Sequence, residues 1–181
     1  MRYAKGISRI LALIPILALC SICTAQSAHD QRASEKIAAQ VESIVHRAAT
    51  PLDLSDPSSP VQISSSQIFF EPKDIAEVRS YGPEAVPALT KFLLNKNTRV
   101  ERVAIRLLGV IGGPAVTGPL LEVLEKSTSA LSRNEALLNL KQSPCTKAVA
   151  HAIFRAAKND ADATVREQAQ AELSWCSDET R

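Results

Sequence analysis

Three prolines recur at a nearly constant interval in the second half of this chain, and they constrain its fold more than any other feature. Pro83, Pro114 and Pro144 lie 31 and 30 residues apart, and a glycine directly precedes the first two. Proline is tolerated in the first turn of a helix, because the N–H that it lacks would have no partner there. Glycine favours the backbone conformation that ends a helix. The spacing therefore predicts that one helix ends and another begins at each proline.

Apolar residues at helical spacing fill the segments between these prolines. We call the helices before a proline first-type helices; the clearest is TRVERVAIRLLGVI (98–111), and ATVREQAQAELSWC (163–176) repeats its spacing. In the third repeat only Ala136, Leu137 and Leu140 keep this stripe. The helices after a proline, called second-type helices, carry the stripes Val86, Leu89, Phe92 and Leu93; Leu120, Leu121 and Leu124; and Val149, Ile153 and Phe154.

A period of about 30 residues with two helices per unit is typical of an α-solenoid. One helix pair cannot bury its apolar face alone, so neighbouring pairs must stack to form the core. We therefore predict an all-α fold, an α-solenoid of about three to four helix pairs over residues 68–181. The low aromatic content of 4% also favours helices over a sheet.

The segment RVERVAIRLLGVIGGPAV resembles the helix–Gly–Pro–helix unit of the short bacterial HEAT-like repeats, the kind grouped with phycobilin-lyase-type repeats. YGPEAVPALTKFL is similar to the second half of that unit and ATVREQAQAEL to the first, so the resemblance covers roughly residues 74–176. It implies a HEAT-like repeat domain that serves as a binding scaffold; a minority of the family are enzymes or enzyme-associated. Its iron-binding enzymes use paired His-Glu motifs, and glutamate follows none of His29, His46 and His151.

The first 25 residues have the pattern of a secretory signal peptide. Three cations precede the apolar run ILALIPILALC (10–20), and small residues stand at Cys23 and Ala25, so we predict cleavage after Ala25. The run is shorter than the roughly 20 apolar residues of a spanning helix, so we expect no stable membrane insertion after cleavage. A lipid anchor on a cysteine is the alternative, although bulky residues precede both leader cysteines. The predicted location is secreted or periplasmic.

Cleavage would change the charge of the chain. It removes three of the 21 Lys and Arg residues and none of the 19 Asp and Glu residues, which leaves one net negative charge. Nucleic-acid binding needs clustered cations that displace counterions. We therefore expect no nucleic-acid partner.

Two segments separate the leader from the repeats. Residues 26–50 have an amphipathic pattern that predicts one helix, with Ser34 as its possible start and an apolar face of Ile37, Val41, Ile44, Val45 and Ala48. Residues 51–67 contain three prolines and many serines, which predicts an extended linker. Phe69 and Phe70 follow, and we expect them to close the end of the core.

Cys145 and Cys176 are the two cysteines that remain after cleavage. They lie on two helices that a short turn would make antiparallel, so both cysteines would come to the same level. In an oxidising compartment this favours a structural disulfide. A redox pair and two buried free thiols are the alternatives; zinc is disfavoured because only His151 lies close in sequence.

The second-type helices would line the concave face of a solenoid, where we place the candidate partner-binding surface. His151 lies there with Lys147, Arg155 and Lys158 at spacings of three to four, a small basic stripe that could meet an acidic partner or could be an ordinary solvated face. Trp175 is expected to cap the last repeat, with a partner contact as the alternative. The candidate residues are Lys91, Asn95, Glu122, Lys147, His151, Arg155 and Trp175.

The pattern indicates a non-catalytic protein-binding scaffold or adaptor. The chain has no GxSxG, no Gly-rich phosphate loop and no metal-spaced cluster, so we predict no catalytic residues, no metal and no cofactor. The alternative is a lyase-like or enzyme-associated HEAT factor that binds a small molecule.

Overall fold

The computed structural model describes residues 14–50 and 68–179, with side chains described over 29–50 and 68–176. All regular structure in these ranges is helical, which confirms the all-α class. The chain divides into two compact units, Met1–Lys36 and Ile37–Arg181. The helices are α1 (Ile14–Ala49), α2 (Pro72–Tyr81), α3 (Val86–Thr90), α4 (Thr98–Ile111), α5 (Thr117–Lys126), α6 (Ala130–Leu140), α7 (Lys147–Asn159) and α8 (Ala163–Glu179).

Helix α1 is longer than the sequence pattern predicted. It begins at Ile14, so Ser34 lies inside the helix and does not cap it. No glycine or proline occurs between Pro15 and Ala49, and Pro15 itself lies in the first turn, where proline is tolerated. In the first unit, Gln31 donates a hydrogen bond of 3.3 Å to Glu35 along the helix. Residues 1–13 and the linker predicted over 51–67 lie outside the described residues.

In the second unit, the end of α1 joins the main hydrophobic core. Val41, Ile44 and Val45 are fully buried, and Ala48 is 7% exposed, as the amphipathic pattern predicted. Arg47, near this helix end, donates a 2.7 Å hydrogen bond to the buried carboxylate of Asp74 in α2. The last turns of α1 are therefore part of the folded unit.

The helices from α2 onward pack in a regular order. The first-type helices α2, α4, α6 and α8 each contact the next along the chain. The second-type helices α5 and α7 also contact each other, and α3, α5 and α7 each pack against the first-type helix that follows them. Neighbouring helix pairs therefore bury their apolar faces against one another.

The prolines mark helix boundaries, but the boundaries differ in kind. Pro83 and Pro114 lie in 3-10 turns, Gly82–Ala85 and Pro114–Val116, which lead directly into α3 and α5. Pro144 lies three residues before α7, so the predicted helix start there was wrong. Thr146 caps α7 instead, because its hydroxyl accepts a hydrogen bond from the Val149 N–H and so satisfies one of the amides in the first turn.

The two glycines before Pro114 make the sharpest of these boundaries. Gly112 and Gly113 have φ values of 65° and 74°, a region that residues with a Cβ rarely adopt. The Gly113 N–H donates a 2.7 Å hydrogen bond to the carbonyl of Gln142, at the end of α6. The Gly-Gly-Pro turn therefore joins α4 to α5 and is also hydrogen-bonded to the end of α6.

The apolar stripes predicted from the sequence form most of the core. Leu89, Leu120 and Ile153 are fully buried, one from each second-type helix, and α6 contributes the fully buried Ala136, Leu137 and Leu140. Phe154 is the exception: it is 49% exposed, so its assignment to the core stripe was wrong. At 100° per residue it lies well off the side formed by Val149, Ile153 and Ala156.

Charged side chains connect neighbouring first-type helices, as the contacts between α4 and α6 show. Glu135 of α6 accepts hydrogen bonds from Arg102 and Arg106 of α4, and Arg106 also contacts the carbonyl of Ile68. Glu101 is 2% exposed and contacts the Ser132 hydroxyl and the Leu94 N–H. These contacts fix the register of α4 against α6.

Similar charge pairs connect α6 to the last two helices, α7 and α8. Arg133 of α6 makes two hydrogen bonds of 2.7 and 2.8 Å to Asp160, which lies just before α8. Lys141 lies 2.9 Å from a carboxylate oxygen of Glu172 in α8. The last helix pair is therefore attached to the rest of the unit by specific charge pairs as well as by apolar contact.

Candidate partner-binding surface on the last helix pair

Helix α7 has an unusual charge distribution. Between Lys147 and Asn159 it contains three permanent cations and one histidine but no acidic residue. Lys147, His151, Phe154 and Lys158 follow one another at spacings of four, three and four, so they lie on one side of the helix. All four are exposed, as is Arg155 at the edge of this side. We call these five residues the α7 surface.

Thr146 and the core positions hold this surface in place. The cap begins the helix at Lys147, and Val149, Ile153 and Ala156 bury the opposite side against α5 and α8. Because the buried side of α7 packs against α5 and α8, its exposed side chains project from a fixed backbone. Lys158 Nζ lies 5.9 Å from the centroid of the Phe154 ring, within the range of a cation–π contact.

A shallow groove runs beside the α7 surface, between α5 and α7. Its volume is about 230 Å³, and its lining includes Leu121, Ala152 and Ala156. Arg155 spans it and lies 3.3 Å from a carboxylate oxygen of Glu125 on α5. Both side chains are about half exposed, so this pair contributes little to stability.

The buried acid at the end of the groove is neutralised within the fold. Burial raises the pKa of Asp160, but the hydrogen bonds from Arg133 outweigh that effect, and the pKa ends below its ordinary value. Asp160 also accepts the Asp162 N–H at 2.9 Å. It is therefore a structural carboxylate that holds the turn between α7 and α8.

The structure joins Cys145 and Cys176, with their Cα atoms 5.4 Å apart. Cys145 lies just before α7 and Cys176 lies in α8, so the pairing connects one end of this antiparallel pair, as predicted. Trp175 is partly buried and packs against the hydrophobic core, and its role as a cap stays a prediction. Both features stabilise the helix pair that carries the α7 surface.

The structure brings together only part of the predicted partner-binding set. Lys147, His151 and Arg155 share α7. Lys91 is exposed just after α3, and Asn95 lies in the following turn, where its side chain accepts the Asn97 N–H at 2.9 Å. Glu122 forms a 2.9 Å pair with Lys126 along α5. The latter three thus lie on other elements.

A second concave site lies where α1 ends. This cavity has a volume of about 290 Å³, and its lining includes Arg47, Phe69, Phe70, Asp74 and Arg99. Phe70 packs against the core, as expected, but Phe69 is 46% exposed, so only one of the two aromatics closes the core. The hydrogen bond to Asp74 raises the pKa of Arg47 above its ordinary value, so the guanidinium stays protonated.

The remaining features are local. Tyr81 donates a 2.6 Å hydrogen bond to Glu77, which together with burial raises the Tyr81 pKa to about 12. Among the side chains that the structure describes, no three His, Cys, Asp or Glu residues form a group able to hold a metal ion. Within the described ranges, no helix is both long and apolar enough to cross a membrane.

Sequence reasoning missed one member of the α7 surface, Phe154, and one residue beside it, Glu125 of α5. Phe154 was assigned to the core, although its distance from the Val149–Ile153 line on a helical projection was a usable signal. Glu125 was noted only as one of several mixed charges, and its pairing with Arg155 depends on how α5 and α7 pack. Comparison with family models, with curated proteins and with solved structures found no match to this chain.

Proposed function

We propose that this protein is a non-catalytic binding scaffold or adaptor, built as an α-solenoid of HEAT-like helix pairs and exported to the periplasm or outside the cell. It would bind a protein partner through the side that the second-type helices present. The observation that carries the proposal is the packing order: α2, α4, α6 and α8 contact one another in sequence, and α5 and α7 do the same beside them. Such layering creates an extended, preformed face.

The ties between the layers support a binding role. The pairs from Glu135 to Arg102 and Arg106, and from Arg133 to Asp160, hold successive repeats in register. A surface that is already ordered loses little conformational freedom on binding, which favours affinity. On the α7 surface, exposed aromatic and charged groups lie together.

Affinity capture tests the proposal. The tagged full chain is expressed in its native cell, recovered from the secretion compartment, and its partners are identified by mass spectrometry. We expect one or a few proteins to be recovered reproducibly, and to be lost when the α7 surface is altered. Recovery of no reproducible protein, together with turnover of a small molecule by the purified chain, would reverse the proposal.

A small-molecule role is the second candidate, and the cavity near the end of α1 favours it. That cavity combines two phenylalanines with Arg47 and Arg99, and its volume of about 290 Å³ is near the lower limit for ligand pockets. Under this alternative, a screen of small anionic and aromatic compounds would raise the melting temperature of the wild type. Arg99→Ala would remove the effect. Under the scaffold proposal no compound produces such a shift.

A further inference from the structure

We propose that the α7 surface binds an acidic peptide segment that carries an apolar side chain. Phe154 would contact the apolar side chain, and the surrounding cations would contact the carboxylates. This inference rests on the proposed function, because it names the partner chemistry for that same side of the molecule. Three independent observations carry it.

The first observation is the charge of α7. Lys147 lies in the first turn, where the helix dipole is positive and a cation is disfavoured. Arg155 and Lys158 are three residues apart, a spacing at which like charges on a helix repel. No acidic residue within α7 relieves either interaction. Carboxylates from a partner would relieve both, and they would also be attracted to the helix N-terminus.

The second observation is the exposure of Phe154. Its side chain is 49% exposed, whereas the apolar residues on the opposite side of the same helix are buried. Exposed aromatic side chains are enriched at protein interfaces, where they supply large contact areas at low entropic cost. The Lys158 ammonium lies 5.9 Å from the centroid of the Phe154 ring, so the ring and this cation are neighbours on the same side of α7. The ring and the cations therefore form one mixed surface.

The third observation is the groove beside it. Its apolar lining, which includes Leu121 and Ala152, offers space next to Arg155. The contact of Arg155 with Glu125 is a single exposed pair at 3.3 Å. A partner carboxylate can replace Glu125 at small cost, since exposed ion pairs are weak. The groove would then hold part of the bound segment, and Arg155 would close over it.

A random twelve-residue peptide library displayed on phage is the probe. We expect peptides selected on the wild-type protein to combine two or more acidic residues with a leucine or an aromatic residue. Synthetic copies labelled with fluorescein should bind by anisotropy, and binding should weaken as salt rises, because exposed charges are screened. Copies with Asn and Gln in place of the acids should bind at least tenfold more weakly. Selection of neutral or basic peptides, or of none, overturns the inference.

Two variants test the surface directly. Phe154→Ala and Lys158→Glu should each weaken the selected peptides at least tenfold. Leu131→Ala and Lys96→Glu are the matched controls, since Leu131 is 56% exposed on α6 and Lys96 is exposed before α4. The controls should bind within twofold of wild type. Circular dichroism verifies that each variant is folded. Equal binding by Phe154→Ala and wild type would overturn the inference.

Two further arms separate this inference from competing partners and from the proposed function. Vesicles of phosphatidylglycerol should not co-sediment with the protein; binding to vesicles with no binding to acidic peptides would assign the surface to a membrane and overturn the inference. If a native protein partner is still captured by Phe154→Ala and Lys158→Glu, the scaffold function stands while this surface assignment falls.

Discussion

Replacing Glu135 with glutamine should destabilise the fold, because its carboxylate is largely buried between two arginines. The Glu135 carboxylate accepts hydrogen bonds from both Arg102 and Arg106, and the three side chains are 12%, 11% and 32% exposed. The substituted glutamine would keep one acceptor oxygen but would carry no negative charge. The positive charges of both guanidinium groups between α4 and α6 would then no longer be offset by a carboxylate at position 135.

The size of this loss follows from the burial of the three groups. Breaking a fully buried pair costs about 3–5 kcal/mol, and an exposed pair contributes about 0–1 kcal/mol. Because Arg106 is about one-third exposed, the loss lies between these limits, at about 2 kcal/mol. For a chain of this size that corresponds to a fall in melting temperature of about 4–8 °C.

Urea unfolding followed by circular dichroism at pH 7 measures the difference. Glu122→Gln is the matched control, since it also removes one glutamate charge, but from the exposed pair with Lys126. Its unfolding midpoint should match that of the wild type. The reasoning is refuted if Glu135→Gln unfolds at the wild-type midpoint, or if both variants are destabilised equally.

The pH dependence supplies a second test of the same variant. Burial raises the Glu135 pKa, but hydrogen bonds from Arg106 and Arg102 lower it by more than burial raises it. The folded-state pKa therefore lies below the ordinary 4.5. A group with a depressed pKa stabilises the fold above its unfolded pKa and loses that contribution as pH falls through its folded pKa. The stability difference between wild type and Glu135→Gln should therefore be full at pH 7 and shrink below about pH 4.5. A difference that grows on acidification would contradict this assignment.

Three further predictions concern other parts of the chain. Cys145→Ser should lower the free energy of unfolding by about 3 kcal/mol, because the disulfide closes a loop with a sequence separation of 31. Dithiothreitol should destabilise the wild type but not this variant. Equal stability of the oxidised wild type and the variant would argue against the bond. Tyr81 should ionise at about pH 12 in absorbance titrations at 295 nm, since its hydroxyl is held by Glu77, and a midpoint near 10 in the folded protein would contradict that hydrogen bond. The exported protein should begin at Gln26 by intact mass and so lack Tyr3; recovery of the uncleaved chain, or of a lipid-modified cysteine, would refute the cleavage prediction.

The helix pattern was readable from sequence because its determinants are local. Proline and glycine set backbone conformation within one or two residues, and an apolar stripe depends only on helical spacing. This is why α4, α5 and α8 appear near their predicted positions and why Ala136, Leu137 and Leu140 are buried. The start of α7 was misplaced because Thr146, two residues after Pro144, is the better cap.

The charge pairs were not readable, because the two partners of each pair lie far apart in the sequence. Glu135 is 29 and 33 residues from its two arginines, and Asp160 is 27 residues from Arg133. Which of the many acids meets which cation depends on the packing of successive pairs. Phe154 differs from these pairs, because its angle from Val149 and Ile153 on a helical projection was a local signal of its exposure.

Site-specific photo-crosslinking in the native compartment tests the binding role most directly. A photoreactive benzoylphenylalanine replaces His151 on the α7 surface in one strain and Leu138, which is 42% exposed on α6, in another. The account predicts a discrete protein adduct from position 151 that Phe154→Ala abolishes, and none from position 138. Adducts from position 138 alone, or no adduct from either position, would contradict it.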